Sequence, residues 1–366
     1  MESRCLARID RLIVVRALWL TVGCLVVSPL PSVEVPAQVA STSAVGSSTA
    51  APDRSSRSSR LADAPASEDL AGTNATVTRE YKAIMEADDA AQDDVERIIR
   101  ENEAFAAKGA GVPEAELRRR CRDRLEPVRK AYEDFVKRHP GHAPAQVAYA
   151  AFLGDLGEEE ASQEHLERAL TLSPRDPAIY NNLANVYGHI GPVKKAFEFY
   201  AKAIDLNPLE PVYYHNFGTT VFLFRKDAME FYHLEEPAVF QKALNLYSNA
   251  MRLDPDNFPL ASDVAQTYYG IRPLPIDRAL ASWTNAFRIA HDEAEREGVQ
   301  IHFARLKLVA GRFSEVQAHL NTITNTAYTD LKNKLARNLQ DRRREVESPE
   351  TKAPQNEARA PGAPKP

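Results

Sequence analysis

Three prolines, Pro140, Pro174 and Pro208, stand 34 residues apart, and a fourth, Pro255, follows after 47, which is 34 plus 13. A fixed period constrains architecture more than any local propensity, because each period is one structural unit that must stack on the next. Other positions keep the same beat: Phe135, Ala169, Ala203, Ala250 and Ala286 follow one another at intervals of 34, 34, 47 and 36. Between the prolines, apolar residues recur three and four apart, the spacing of one face of a helix. No stretch alternates with the period of two that a half-buried strand needs. Each unit therefore reads as helix, turn, helix, ended by a proline that cannot continue the second helix.

The stretch from Pro177 to Glu210 carries the pattern most fully: Tyr180-x2-Leu183-Ala184-x2-Tyr187, then Gly191, then Ala196-x3-Tyr200, Ala203 and Pro208. The unit before it keeps Tyr149-Ala150-x2-Leu153, Gly157, Leu166, Ala169 and Pro174, with Ser162 where alanine is usual. The unit after it reads Tyr214-x2-Phe217-Gly218-x2-Val221, then Ala243-x3-Tyr247, Ala250 and Pro255. A fourth has Ala261-x2-Val264-Ala265-x2-Tyr268, Ala279-x3-Trp283 and Ala286, and a worn fifth keeps Phe303-Ala304, Gly311, Leu320 and Ile323. Upstream, Val128, Tyr132, Phe135 and Pro140 look like a second helix whose partner has diverged.

This pattern resembles the tetratricopeptide repeat, W-x2-L-G-x2-Y followed by A-x3-F and P over 34 residues. The resemblance spans residues 143–323, with weaker cover from Val128. It implies an all-α fold: an α-solenoid, wound as a right-handed superhelix, of stacked helix–turn–helix repeats that bind proteins rather than catalyse. The small residues Ala184, Gly218 and Ala265 would let the two helices of a pair approach. The aromatics Tyr187, Tyr200, Tyr247 and Trp283 would fill the gap against the next pair.

Two departures are expected to shape the surface. The third repeat holds 13 extra residues between Arg225 and Ala243, with Pro237 placed to open the second helix. The first helix would then run on to about Tyr232, making a long hairpin that carries Phe224, Met229, Phe231 and Tyr232. Two readings stay open, a projecting knob for a partner or a second copy, and packing against the N-terminal helices. In the fourth repeat, Pro273-Leu274-Pro275 would lengthen only the turn.

Outside the repeats the chain changes character. Residues 1–40 order Arg4, Arg8, Arg11 and Arg16 before an apolar run of eleven, Ala17 to Val27, and then small residues, as an export segment requires. Cleavage after Ala37 or Ser41, retention as a membrane anchor, and lipidation at Cys24 are all compatible with it. The chain is thus expected to be exported, periplasmic or envelope-associated. Residues 41–76, rich in Ser, Thr, Ala and Pro, read as a disordered linker, and 348–366, with five prolines from Pro349 on, as a disordered tail. Residues 77–142 read as N-terminal helices leading into the repeats, and 324–347 as a C-terminal capping helix with charge on nearly every face.

The resemblance also places a binding surface, because first helices of the family line a concave groove for an extended segment. The residue before the first-helix Leu or Phe faces it, which gives Ala148, Asn182, Asn216, Asp263 and His302, with Asn185, Thr219 and Gln266 three residues on. Amides suit such a role because they both donate and accept toward any main chain. The family's clamp for a terminal carboxylate needs basic side chains where this chain has Pro259 and Asp263, so that clamp is absent. The net charge of −5 lacks the concentrated basic surface that nucleic acid wants. Three cysteines, Cys5, Cys24 and Cys121, are too scattered for a metal site, and His139 and His142 flank a turn with no third ligand nearby. No nucleophile–base, phosphate-loop or metal motif appears, so neither an enzyme nor a cofactor is expected.

Overall fold

A computed structural model describes residues 71–106 and 108–347. The export segment 1–40, the linker as far as residue 70 and the tail 348–366 lie outside the described residues. Helices make up the fold, and no strand occurs among the described residues. Backbone contacts divide the chain after Leu260 into two compact units.

The first unit is built from α1 (Ala71–Ala106), α2 (Glu114–Arg138), α3 (Ala143–Asp155), α4 (Glu159–Leu172), α5 (Pro177–Ile190), α6 (Val193–Leu206), α7 (Pro211–Leu223), α8 (Arg225–Tyr232) and α9 (Glu236–Leu253). Helices α3/α4, α5/α6 and α7/α9 are the paired first and second helices of three repeats. Their starts follow from local chemistry. Asp176 accepts from the Ala178 N–H at 2.9 Å, with Pro177 supplying a first residue whose missing donor costs nothing there. Glu210 and Pro211 repeat the device, and the His142 Nδ1 accepts from Ala145 N at 3.1 Å.

A second periodic tie was not expected. Gln146 Nε2, Tyr180 OH and Tyr214 OH each donate to the carbonyl of the proline six residues back, Pro140, Pro174 and Pro208, at 3.3, 3.1 and 3.1 Å. Each tie fixes the angle at which the chain turns from one second helix into the next first helix.

Within pairs, Ala150 and Ala184 are fully buried, and a Cβ on Gly218 would stand 3.0 Å from the Tyr247 ring and 3.3 Å from the Ala243 carbonyl oxygen. Ser162, buried where alanine is usual, satisfies its hydroxyl on the Ala150 carbonyl at 2.7 Å. Between pairs, Tyr132 stacks on Tyr149 and Tyr200 on Phe217, both with centroids 5.4 Å apart. Such a pair contributes about 1 kcal/mol beyond its buried area. Tyr187 corrects its expected role. Its ring meets Phe199 of its own partner helix at 5.4 Å, while its hydroxyl reaches back to Glu167 of the preceding pair at 3.2 Å.

The diverged partner of α2 is α1. Tyr81 packs 5.8 Å from Phe135, and Tyr132 donates to the Asp88 carboxylate at 2.9 Å. Helix α1 begins at Ala71, inside the 41–76 stretch whose composition reads as linker. Once Tyr81, Ile84 and Val95 are buried and the helix is nucleated, adding a turn upstream is cheap.

The expected hairpin in the third repeat is also corrected. The first helix stops at Leu223, turns at Phe224 (φ −101°, ψ 43°), and restarts as the separate helix α8, closed by His233 in a left-handed conformation. Instead of projecting or reaching the N-terminal helices, α8 folds back on α6, with Phe231 and Tyr232 5.5 and 5.7 Å from Phe197. Burying these rings against Phe197 outweighs continuing a straight helix into water.

Helix α10 (Phe258–Thr267) crosses the boundary at Leu260. From Ala261 the second unit continues through a 3-10 turn (Tyr268–Gly270), α11 (Ile276–Ile289), α12 (Glu293–Val309), α13 (Phe313–Asn321), a second 3-10 turn (Thr326–Tyr328) and α14 (Thr329–Glu347). The fourth repeat therefore loses the end of its first helix as well as gaining a longer turn. The worn fifth repeat is in register: Gln300 Oε1 meets His319 Nδ1 at 2.6 Å, as Gln146 meets His165 at 2.6 Å in the first. Buried Glu297 accepts from Thr324 N, Thr324 Oγ1 and Asn325 N at 3.0, 2.7 and 2.7 Å, which holds the turn toward α14. Although charged on its other faces, α14 lays Leu331, Leu335 and Leu339 against α12 and α13.

Candidate functional site

The first helices α3, α5 and α7 touch one another directly, so their side chains form one continuous row in the first unit. Asn182 and Asn216 are both half-buried on it, one repeat apart. They do not meet as a simple ladder. Asn216 Nδ2 donates to Asn181 Oδ1 at 3.2 Å, and Asn181 Nδ2 donates to Asn182 Oδ1 at 3.4 Å. Asn181, 5% exposed, is a buried relay between the two. The relay leaves the Asn182 NH2 as a donor and the Asn216 carbonyl as an acceptor. Reversing all three amides exchanges the two ends but still leaves one of each.

Asn185 and Thr219 stand differently from expectation. Asn185 Oδ1 accepts from Tyr200 OH at 2.6 Å, and Thr219 Oγ1 shares a hydrogen bond with Tyr247 OH at 3.0 Å. Each satisfies the hydroxyl of the buried second-helix tyrosine in its own repeat. A buried phenol needs such a partner, and burial pushes the Tyr200 phenol upward in pKa. Asp88 does the same for Tyr132 in the N-terminal pair. Ala148 is half-buried on α3.

Asp263 and Gln266 belong to the second unit, where both are half-buried and the Asp263 backbone carbonyl accepts from Thr267 Oγ1 at 2.9 Å. His302 is no open groove residue. Its ring stacks on Trp283 with centroids 3.8 Å apart, and its Nδ1 meets Tyr269 OH at 3.1 Å. Burial pushes its pKa down to about 3, so it is neutral. The four residues expected on a knob, Phe224, Met229, Phe231 and Tyr232, are all half-buried. Beside them the Lys242 ammonium lies 4.0 Å from the Tyr232 ring centroid, and burial lowers its pKa.

His142 is spent on capping α3, and its ring packs 4.8 Å from Tyr81. Cys121 is buried, and burial raises the pKa of its thiol. Among the described residues no group of three His, Cys, Asp or Glu side chains converges as a metal site would require. No helix among them is long and apolar enough to cross a membrane.

Sequence reasoning missed Asn181. Its signal was the Asn181-Asn182 dipeptide, with Asn216 following 34 residues after Asn182. Comparison with known proteins meets the chain at this same helix pair: the sequence profile described as tetratricopeptide repeat matches residues 177–208. The chain carries a tetratricopeptide repeat. No curated protein matches it. Similar solved structures include a thermophilic tetratricopeptide protein of Thermus thermophilus, 22% identical, covering 54% of this chain and 99% of that one at a TM-score of 0.40. PilF of Pseudomonas aeruginosa is 14% identical, with 70% and 99% covered and a TM-score of 0.45. YrrB, described as a tetratricopeptide protein with an unusual peptide-binding site, is 14% identical, with 59% and 99% covered and a TM-score of 0.42. The fold assignment stands on the stacked helix pairs themselves.

Proposed function

We propose that this tetratricopeptide-repeat chain is a non-catalytic scaffold that holds an extended segment of a partner protein along α3, α5 and α7. One observation carries the reading. The three-amide relay ends in one donor and one acceptor, and an extended main chain offers one carbonyl and one N–H in return. Tetratricopeptide helices stacked in a row supply the rigid frame on which such a pair stays set. The N-terminal order of arginines, apolar run and small residues supports export, with the scaffold acting in the periplasm or at the envelope. The rival reading, self-assembly through a hairpin near 225–243, loses its support because α8 folds back on α6.

Replacing Asn182 and Asn216 together by alanine tests the reading, since both side chains are half-buried and neither fills the core. The double variant is expected to melt within a few degrees of the parent and to lose capture of its partner from envelope extract. Undiminished capture by a folded double variant would remove the relay from the function.

A further inference from the structure

Helices α3, α5 and α7 have 13, 14 and 13 residues, and the only Asp, Glu, Lys or Arg among them is Asp155, the last residue of α3. The whole chain is 27% charged. The charges of these repeats lie on the second helices, as in Glu159, Glu160, Glu164, Glu167 and Arg168 of α4. Of the two histidines on these first helices, His215 is buried and His189 is bound to Glu159 at 3.0 Å. Charges of neighbouring helices reach the row at Tyr149 (Glu133), Tyr187 (Glu167 and Lys195) and His189 (Glu159), whereas the row's own side chains around Asn182 and Asn216 carry none. What it does expose is small or aliphatic, with Ala151 open, Ile190 and Leu223 each 41% exposed, and the two free ends of the asparagine relay.

We propose that the segment held there is itself uncharged, built of small and aliphatic residues, and recognised through its main chain rather than through ion pairs. This rests on the scaffold reading above and narrows its partner. A charged side chain laid beside Asn182 and Asn216 would lose water and find no charge on the row's own helices there, which costs more than the contact returns. An uncharged segment loses little, and its carbonyl and N–H find the Asn182 donor and the Asn216 acceptor. Three helix widths of about 9 Å each, crossed at about 3.3 Å per residue, set the segment at about eight residues. Asn181 is a positioning residue in this scheme. An aspartate there could only accept, so Asn182 and Asn216 would both turn donors inward and present two acceptors outward.

The test is selection from a randomised library of blocked peptides about ten residues long, using the full-length chain. Enrichment of uncharged peptides is expected, with an affinity that does not change between about 50 mM and about 500 mM salt. The Asn181→Asp variant, shown folded by circular dichroism, should bind the selected peptides about tenfold more weakly. Enrichment of acidic or basic peptides, or affinity that falls steeply with salt, overturns the proposal while leaving the scaffold reading intact. Selection of no peptide over the Asn182→Ala/Asn216→Ala variant overturns both. Co-sedimentation with neutral lipid vesicles that the same variant abolishes would make the row a membrane surface, and would overturn the proposal as well.

Discussion

Gly218 shows how little room a repeat leaves at its closest point. A Cβ there would meet two carbons of the Tyr247 ring at 3.0 Å and the Ala243 carbonyl oxygen at 3.3 Å. The ring is also tied to the same helix by its hydroxyl bond to Thr219, so moving it away would break that bond. Gly218→Ala should therefore destabilise the chain by about 1–3 kcal/mol, the usual cost of overpacking, measured by denaturant unfolding. Gly141→Ala, where nothing lies within 4 Å, should be near neutral and serves as the comparison. The small residue at this position was legible, because a period of 34 puts Ala150, Ala184 and Gly218 in one column. The roles of Asn185 and Thr219 were not. Both sit at a surface-facing position by spacing, and only the second-helix hydroxyls arriving from the other side of the pair turn them into internal partners.

At the scale of elements, the instructive case is the broken helix around Phe224. The sequence announced an insertion of known length and a proline, Pro237, that does open α9. What it did not announce was the break, since neither proline nor glycine stands there and helix propensity favours running on. The break is decided by distant packing, as Phe231 and Tyr232 reach Phe197 on the preceding repeat only if the chain turns first. Periodicity reports contacts that recur, and this one occurs once. Replacing Phe231 and Tyr232 by alanine should therefore release α8 without unfolding the repeats. Limited trypsin digestion would read it as new cleavage after Arg225 or Lys226, absent in the parent under the same conditions. Unchanged resistance would mean that α8 is held by something other than these rings. The worn fifth repeat is the converse case: five residues made it legible, and Gln300 and His319 restate there a contact made by Gln146 and His165.

For the molecule as a whole, acid should act through histidines before it acts through carboxylates. Burial lowers the pKa of His142, His165, His302 and His319 from the ordinary value of 6.5, His302 to about 3. A histidine held neutral by the fold takes up its proton more readily when unfolded, so falling pH favours the unfolded chain. Their contribution is constant above about pH 7.5 and declines once pH drops through 6.5, continuing toward pH 3 for His302. Lowered carboxylates such as Glu297 act in a separate window: hydrogen bonds from Thr324 and Asn325 outweigh the desolvation that opposes them. Their stabilisation is present above the ordinary 4.5 and is lost only below it. A plot of melting temperature against pH should then bend first near 6.5 and more steeply below 4.5. His302→Phe keeps a ring on Trp283 and removes the titrating group, so it should flatten the upper limb and leave the lower one unchanged. An upper limb unaltered in that variant would show that His302 is not what makes the fold acid-sensitive there.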